Sequence, residues 1–286
     1  MVNLNVSLRP AVPNDQGRIA NLIYFESHVH RHLDWRSPLD WLGADEFWVL
    51  EQGNQLVAVF ACPSDPPGIA WIRLFAHARS IPVERAWDAL WQVAQDAVQK
   101  NNHQTVAAIN LQQWFGALLK KSGFTPEQQI VVLEHSITAS ANGAQKASAP
   151  IRQMTENDLP AVAALDAAAF KPLWQNSQVS LQMAFTQAGL ATVIEEDGKL
   201  IAYQISTINP FGMHLARLAV SPDRQGRGFG YALGQDLLQY ASNNIPGRVT
   251  VNTQADNQPS LSLYKKLGFS LTGEQYPVYV FLDDRS

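Results

Sequence analysis

The sequence predicts two domains of the α/β or α+β layered class. Three observations support this prediction. The length of 286 residues suits two domains of ~100–200 residues each. A set of sequence patterns recurs at about half of that length. Each half alternates short apolar runs with amphipathic segments, as layered domains of strands and helices do. We therefore expect one domain to be present twice.

The repeat consists of segment pairs that occur in the same order in both halves. The matched segments are residues 8–22 with 151–165, VLEQGNQLVAV at 49–59 with VIEEDGKLIAY at 193–203, and KKSGF at 120–124 with KKLGF at 265–269. Their offsets, 143, 144 and 145 residues, drift by only two. Such a steady offset indicates a duplicated domain.

Each copy is predicted to run strand, helix, a second short helix, hairpin, strand, helix, strand, helix and strand. Asp15 and Asp158 follow the first strand and open helices whose apolar residues are spaced three and four apart. Two apolar runs around a Gly-containing turn predict the hairpin. In the second copy, the strand HLARLAV precedes a helix from about Tyr231 to Ala241. We expect domains at 1–134 and 151–286, joined by an Ala-, Ser- and Gly-rich linker at 135–150.

The composition limits the classes of function. Hydrophobic residues make up 46% and charged residues 16%, which argues against disorder, and no apolar run approaches the ~18 residues of a membrane span. The first residues lack the layout of a signal peptide, so we expect a cytoplasmic protein with no membrane partner. Cys62 is the only cysteine, which excludes disulfides within one chain. The net charge of −4, with no basic excess in either half, argues against nucleic acid as a partner.

A glycine-rich segment in the second copy suits a phosphate ligand. Gly226, Gly228 and Gly230 lie where the strand HLARLAV turns into a helix, so that main-chain N–H groups and the helix N-terminus can approach a pyrophosphate closely. Arg224 and Arg227 can add positive charge. The spacing differs from the GxGxxG of dinucleotide sites, and no GK[ST] follows, so neither familiar phosphate loop fits. A tight turn without a ligand is the alternative.

The first copy lacks this segment. Ile81 to Ala86 replaces the glycines, Pro82 removes a donor, and Glu84 would repel a phosphate. Trp87 and Trp91, four residues apart on the following helix, are predicted to lie in a core or a domain interface. The first copy is therefore expected to keep the scaffold without the phosphate site.

The second copy resembles the GNAT family of acyl-CoA-dependent N-acyltransferases. Two motifs carry the resemblance, and together they cover residues 151–282. They are Gln225, Gly228 and Gly230 after Leu218, Ala219 and Val220, and Asn257 followed by Tyr264, Leu267, Gly268 and Phe269. The first copy resembles a degenerate relative, matched by the hairpin and by Gly123 and Phe124.

This resemblance implies two GNAT-like domains, each a mixed, mainly antiparallel sheet with splayed central strands flanked by helices. It also implies acetyl-CoA as acyl donor, with main-chain groups of β-strand residues on pantetheine and the loop N–H groups on pyrophosphate. The residues so implied to bind the cofactor are Leu218, Ala219, Val220, Arg224, Gln225, Gly226, Arg227, Gly228, Phe229, Gly230, Asn257 and Tyr264.

Acyl transfer to an amine needs a base, a polarised carbonyl and a protonated or stabilised thiolate. The resemblance places Tyr264 at the thiolate. Full proton transfer from a Tyr of pKa ~10 to a thiolate of pKa ~8.5 costs about 2 kcal/mol, so hydrogen bonding precedes it. Family members often carry a Glu that acts as the general base at the positions where this chain has His214 or Asn252. His214 is the candidate base, and deprotonation through water is the alternative. The acidic residues at 195–197 are interpreted as solvated charges of a hairpin turn.

The segment HVHRH is a possible helix with His28 and His32 on one face and His30 pointing away. A metal site there is the weaker interpretation, because no acidic or Cys partner stands at ligand spacing. We expect no metal, and a polar helix near a substrate cleft.

The sequence thus predicts an N-acetyltransferase that uses acetyl-CoA in a ternary complex. A non-catalytic acyl-CoA-binding protein is the alternative, motivated by the missing acidic base, and a nucleotide-dependent oxidoreductase is a weaker one. The acceptor, whether peptide N-terminus, small metabolite, amino sugar or polyamine, stays open, as does the oligomeric state. The specificity for the acceptor is expected to depend on the segments 170–190 and 209–213.

Overall fold

Two strands of thirteen residues each, Thr125–Ile137 and Ser270–Leu282, contribute to two different folding units. The computed structural model describes residues 6–101, 105–137, 150–245 and 247–282. One compact unit, here the N-terminal unit, comprises Met1–Glu127 and Pro277–Ser286. The other, the C-terminal unit, comprises Gln128–Tyr276. Each long strand begins in one unit and ends in the other.

These units differ from the boundaries expected from the sequence. Residues 128–134 belong to the C-terminal unit and residues 277–286 to the N-terminal unit. His135 to Ile137, expected in the linker, end a strand, and residues 138–149 lie outside the described residues. A repeat in the sequence cannot show which sheet a terminal strand joins, because that depends on hydrogen bonds between distant segments.

The N-terminal unit contains two groups of hydrogen-bonded strands. Its elements are β1 (Val6–Pro10), α1 (Gln16–Phe25), β2 (Val29–Arg31), β3 (Phe47–Gln52), β4 (Gln55–Ala61), β5 (Ile69–Trp71), β6 (Leu74–His77), α2 (Val83–Lys100), β7 (Thr105–Ile109), α3 (Gln113–Lys121) and the start of β8 (Thr125–Ile137), with single 3-10 turns at Pro13–Asp15 and Pro38–Trp41. One sheet has the order β1-β3-β4-β6-β2. In the other group, β7 pairs with β5 and with residues 278–282 of the last strand.

The core of the N-terminal unit is aromatic, as the sequence predicted for the tryptophans of α2. Trp87 is fully buried and stacks on Trp91, with ring centroids 5.9 Å apart. Phe60 and Phe75 meet Trp87 edge-on at 5.6 and 5.1 Å. The prediction that Trp87 and Trp91 are core residues is confirmed.

The C-terminal unit contains one sheet with helices on both faces. Its elements are the end of β8, β9 (Ile151–Gln153), α4 (Leu159–Ala169), α5 (Gln178–Thr186), β10 (Leu190–Glu196), β11 (Lys199–Asn209), β12 (Gly212–Val220), α6 (Phe229–Asn244), β13 (Gly247–Gln254), α7 (Gln258–Lys266) and the start of β14 (Ser270–Leu282), with 3-10 turns at Glu156–Asp158, Pro172–Trp174 and Pro222–Arg224. Its strand order is β14-β8-β13-β12-β11-β10-β9. The element order agrees with the sequence prediction for the second copy.

The central strands β12 and β13 separate part-way along their length, as predicted. They pair in parallel only where residues 212–215 face residues 248–251, although β12 continues to Val220. Glycine permits the close approach at the paired end, since a Cβ on Gly212 would lie 2.0 Å from the carbonyl oxygen of Arg248. Beyond it, Ala216 is an extra residue opposite β11, because Leu215 and Arg217 face the consecutive residues Ser206 and Ile205. This bulge lies where β12 parts from β13.

One ion-pair network occurs in both copies. Arg152 bonds Asp158 at 2.8 Å and Glu195 at 2.9 Å, as Arg9 bonds Asp15 at 2.7 Å and Glu51 at 2.8 Å. Asp158 also accepts a hydrogen bond from the main-chain N–H of Thr155. The network therefore connects the first strand, the start of the first helix and the hairpin in each unit.

We expect the C-terminal unit to lose this contribution at acid pH. The hydrogen bonds from Arg152 hold the pKa of Asp158 well below its usual range. Because the folded-state pKa is depressed, the stabilisation is complete above the unfolded pKa of ~4 and is lost progressively as the pH falls from there through the folded-state pKa. Arg152 is partly exposed, so each ion pair contributes ~0.2–1 kcal/mol. The difference between the urea midpoints of the wild type and Asp158→Asn should become progressively smaller as the pH is lowered from 6 to 3. A constant difference across that range would contradict the prediction.

Candidate active site

The glycine-rich loop of the C-terminal unit is open and ends in a helix N-terminus without a capping side chain. Gly226 and Gly228 have φ values of 75° and 90°, a left-handed conformation that favours glycine. A Cβ at either position would have no atom within 4 Å, so the space above the loop is free. Gly228 caps α6 and has no side chain to bond the first N–H groups of the helix. These donors and the positive end of the helix dipole can hold an anion.

Gly230 serves a different purpose from the other two glycines. A Cβ there would lie 3.3 Å from Leu263 of α7 and 3.6 Å from Leu218 of β12. The absence of a side chain thus lets the first turn of α6 pack closely against both elements. This packing positions the loop at the end of β12.

The main chain of β12 presents two residues to the space between the splayed strands. Hydrogen-bonded and non-hydrogen-bonded pairs alternate in an antiparallel ladder, and the N–H of Ser221 donates to Ile201 at 2.8 Å. The main-chain N–H and C=O groups of Ala219 therefore point toward β11. Those of Leu218 and Val220 point toward the opening between β12 and β13. The Val220 carbonyl accepts a hydrogen bond from Gln225 Nε2 at 3.1 Å. Of the three residues named from the sequence, Ala219 does not offer its main chain to the opening.

The two arginines near the loop differ in their surroundings. Arg224 Nε bonds Glu196 at 2.8 Å and its Nη1 bonds Asp223 at 2.9 Å, so its charge is neutralised by neighbours. Arg227 is exposed. Glu196, expected to be a solvated turn acid, thus pairs with Arg224, while Asp197 lies with φ of 52° in the predicted hairpin turn.

Asn257 and Tyr264 lie on the same helix but in different environments. The Asn257 side chain accepts the N–H of Ser260 at 3.2 Å and donates to Gln254 at 3.3 Å, which makes it the N-cap of α7. Tyr264 is buried. Burial raises the pKa of Tyr264 well above its usual value, and the positive charge of Arg217 opposes that rise. The phenol therefore stays protonated and keeps a donor to offer.

His214 lies at the paired end of β12, opposite Thr250 of β13. Its Nδ1 is 2.9 Å from Thr250 Oγ1, which itself can donate to the Met213 carbonyl at 3.4 Å. We infer that Nδ1 carries the proton and that Nε2 keeps its lone pair. Burial lowers the pKa of His214, so the ring is neutral near pH 7. Asn252, the other position considered for a base, is exposed.

Sequence reasoning missed a buried polar cluster on the same face of the sheet as His214. Arg217 Nε and Nη2 bond the two carboxylate oxygens of Asp166 at 2.7 and 2.9 Å. The Tyr203 hydroxyl donates to the same carboxylate. Asp166 and Tyr203 are fully buried. A charged residue inside each of the apolar runs AALDAAAF and HLARLAV was the available signal.

The equivalent region of the N-terminal unit contains no glycine loop. Pro82 stands at the N-cap of α2. The helix expected for HVHRH is wrong: residues 29–31 form strand β2, where alternate residues share a face. His30 bonds the Ile72 carbonyl at 3.1 Å and stacks on Phe115 at 3.9 Å, and burial lowers its pKa to about 4. Within the described residues there is no group of three or more His, Cys, Asp or Glu arranged to hold a metal.

In the part of the chain that the structure describes, no helix has both the length and the hydrophobicity needed to cross a bilayer.

Part of the chain is similar in sequence to known acetyltransferases. Residues 159–269 match the family model of the acetyltransferase (GNAT) family. A mycothiol acetyltransferase of Arthrobacter sp. (strain FB24) is 32% identical over 92 residues, 30% of this chain and 28% of that protein. The N-alpha-acetyltransferase RimI of Mycobacterium tuberculosis is 31% identical over 80 residues, 27% of this chain and 49% of that protein. The chain thus matches less than two thirds of the length of these relatives.

Solved structures extend the likeness to both units. A tandem GNAT protein from the clavulanic acid biosynthesis pathway has a TM-score of 0.67 at 16% identity and covers 97% of this chain and 98% of its own. A GCN5-related N-acetyltransferase from Sphaerobacter thermophilus has a TM-score of 0.61 at 16% identity, covering 97% and 95%. At such identities the likeness concerns the fold, and the predicted fold class is confirmed.

Proposed function

We propose that this chain, whose residues 159–269 carry an acetyltransferase domain of the GNAT family, transfers an acetyl group from acetyl-CoA to a primary amine in a ternary complex. One observation carries the proposal. Open glycines, an uncapped helix N-terminus and a strand edge turned toward an opening occur together in the C-terminal unit. The N-terminal unit has the same scaffold with Pro82 in place of this loop.

The proposed donor site follows from these groups. The pyrophosphate would accept hydrogen bonds from the N–H groups between Gln225 and Gly230, and the helix dipole would favour its charge. Pantetheine, which carries amides, would pair with the main chain of Leu218 and Val220, with Gln225 releasing the Val220 carbonyl. Arg224 would stabilise the loop through Glu196, and Asn257 would hold the start of α7, so that both act indirectly.

The proposed chemistry assigns separate tasks to the chain's residues. A β12 N–H in the opening would polarise the thioester carbonyl, and the neutral amine would attack its carbon. The breaking C–S bond would leave its electron pair on sulfur, where the Tyr264 hydroxyl would donate a hydrogen bond. A raised pKa makes full proton transfer from Tyr264 less favourable, which supports a stabilising role. The amine proton would pass to His214 Nε2 or to water.

The acceptor class is left to experiment because the relatives differ in it. Their names include a mycothiol acetyltransferase, an N-alpha-acetyltransferase and a ribosomal protein alanine N-acetyltransferase. We therefore propose a small-molecule or peptide amine as acceptor. Isothermal calorimetry with acetyl-CoA, followed by a thiol-release assay over peptide N-termini, lysine, glucosamine and spermidine, tests the function. Turnover supports it, whereas tight binding without turnover favours a non-catalytic acyl-CoA-binding protein. Stabilisation by NAD and not by acetyl-CoA would contradict both.

We expect the protein's own thiol to leave such an assay undisturbed. Cys62 is fully buried, and burial raises the pKa of its thiol well above the usual value, so little thiolate forms. The native chain should react with Ellman's reagent at less than about a tenth of the rate of the urea-unfolded chain. The unfolded chain should release one equivalent, since Cys62 is the only cysteine. Rapid stoichiometric labelling of the native protein would contradict this expectation.

A further inference from the structure

We propose that Asp166, Tyr203 and Arg217, here called the polar triad, position the segment 170–176 and thereby the amine acceptor. The proposal rests on the proposed function, because it concerns the acceptor side of the same site. The segment connects α4 to α5, and the triad joins it to the splayed part of β12.

Several hydrogen bonds hold the segment to the triad. Arg217 Nη2 donates to the Trp174 carbonyl at 2.6 Å, and the N–H of Asn176 donates to Asp166 Oδ1 at 2.8 Å. The Arg217 guanidinium also lies 3.5 Å from the centre of the Phe170 ring. Both ends of the segment are thus bound to one ion pair.

The location of Arg217 connects this segment to the reaction centre. Arg217 follows the bulge at Ala216, within the stretch of β12 that has left β13 and where the donor would lie. Its charge acts on the hydroxyl of Tyr264, the proposed partner of the thiolate. His214 is opposite Thr207 of β11, and Arg217 is opposite Ile205. Because Thr207 and Ile205 are two residues apart on one face of β11, His214 and Arg217 also lie on one face of β12. An amine approaching the thioester would therefore pass beside the segment.

The N-terminal unit shows that the fold does not need the triad. The sequence repeat aligns Asp166 with Ile23 and Tyr203 with Val59. Tyr203 pairs with Ala219 of β12, as Val59 pairs with Ala76 of β6. Arg217 and Leu74 each lie two residues before these partners, so they occupy equivalent positions. Ile23, Val59 and Leu74 are buried in one apolar cluster. Apolar side chains of this kind usually stabilise a fold as well as a buried ion pair or better. The triad itself is therefore specific to the C-terminal unit.

The network of Arg152 supplies the contrast. Its three members are repeated in the N-terminal unit as Arg9, Asp15 and Glu51, so that network belongs to the shared scaffold. The network of Arg152 is kept in both copies, whereas the triad is replaced by apolar residues in the N-terminal unit. Only the replaced one bonds the segment between the first two helices of its unit.

The test replaces the triad with the residues of the other copy: Asp166→Ile, Tyr203→Val and Arg217→Leu together. The triple variant avoids an unpaired buried charge, so we expect it to fold. Acetyl-CoA affinity by calorimetry should stay within threefold of wild type, while KM for the best amine of the panel should rise at least 30-fold. Hydrogen exchange of the amides at 170–176 should accelerate at least tenfold. Arg152→Met, which removes the shared network, should leave both the KM and this exchange unchanged.

The outcomes separate this proposal from the proposed function. Wild-type protein that neither binds acetyl-CoA nor acetylates an amine would contradict the proposed function, and the exchange measurement would still test the positioning. A folded triple variant with wild-type acceptor KM and wild-type exchange at 170–176 would overturn the triad's role. A variant that has lost acetyl-CoA affinity to the same extent as acceptor affinity would also overturn it, because the effect would then not be specific to the acceptor side.

Discussion

Replacement of Gly228 by glutamate is expected to raise the dissociation constant for acetyl-CoA about 100-fold, or ~3 kcal/mol. The new carboxylate would stand at the N-terminus of α6, where the proposed pyrophosphate site requires positive potential. At ~5 Å, repulsion between unit charges costs between ~0.8 and ~3 kcal/mol for effective dielectric constants between ~80 and ~20. A Cβ at this position meets no protein atom, so the side chain is accommodated without a clash. Calorimetry with acetyl-CoA measures the effect.

The chain offers a matched control for this substitution. Gly198 in the β10–β11 turn has φ of 73° and equally free space for a Cβ. Gly198→Glu therefore adds the same charge and similar backbone strain outside the proposed site. It should bind acetyl-CoA as the wild type does, while both variants show a similar loss of thermal stability. If the Gly228 variant binds as well as the Gly198 variant, the assignment of the loop is wrong.

The part of the site that the sequence predicted is the part that local geometry determines. Gly226 and Gly228 adopt left-handed conformations that few other residues tolerate, so their spacing in a strand-to-helix turn was informative. The hairpin turn at Asp197 was equally local. Gly212, in contrast, matters because a backbone carbonyl from another strand lies against it, which no local pattern shows.

The features that the sequence did not predict depend on distant residues. Asp166 and Arg217 are 51 positions apart, and each alone resembles an isolated charge in an apolar run. The destination of the strand at 128–137 is set by its ladder with β13, a pairing that the repeat cannot encode. The HVHRH segment was misassigned because its polar alternation over few residues fits a short strand as well as a helix.

Substitution of Tyr264 by phenylalanine is expected to lower kcat about 100-fold with little change in acetyl-CoA affinity. A hydrogen bond to a charged group contributes ~1.5–3 kcal/mol, equivalent to roughly 10- to 150-fold in rate when it forms only as the thiolate develops. The ring would keep its contacts with Phe269, 5.8 Å away between centroids, so the fold should be retained. Because burial raises the pKa of Tyr264, the wild-type hydroxyl stays protonated above pH 10, and it should produce no alkaline limb in the rate profile below that pH.

Tyr240→Phe is the control for the loss of a hydroxyl. Tyr240 lies on α6 and packs against the same hydrophobic cluster as Tyr264, but it belongs to neither the proposed donor site nor the triad. Steady-state kinetics should therefore separate the two variants by kcat alone. A Tyr264→Phe enzyme within twofold of the Tyr240→Phe enzyme would mean that the leaving thiolate is stabilised elsewhere. The main-chain donors of β12 and the Arg217 charge would then be examined by the same kinetics, since the donors face the opening and the charge acts on the Tyr264 hydroxyl.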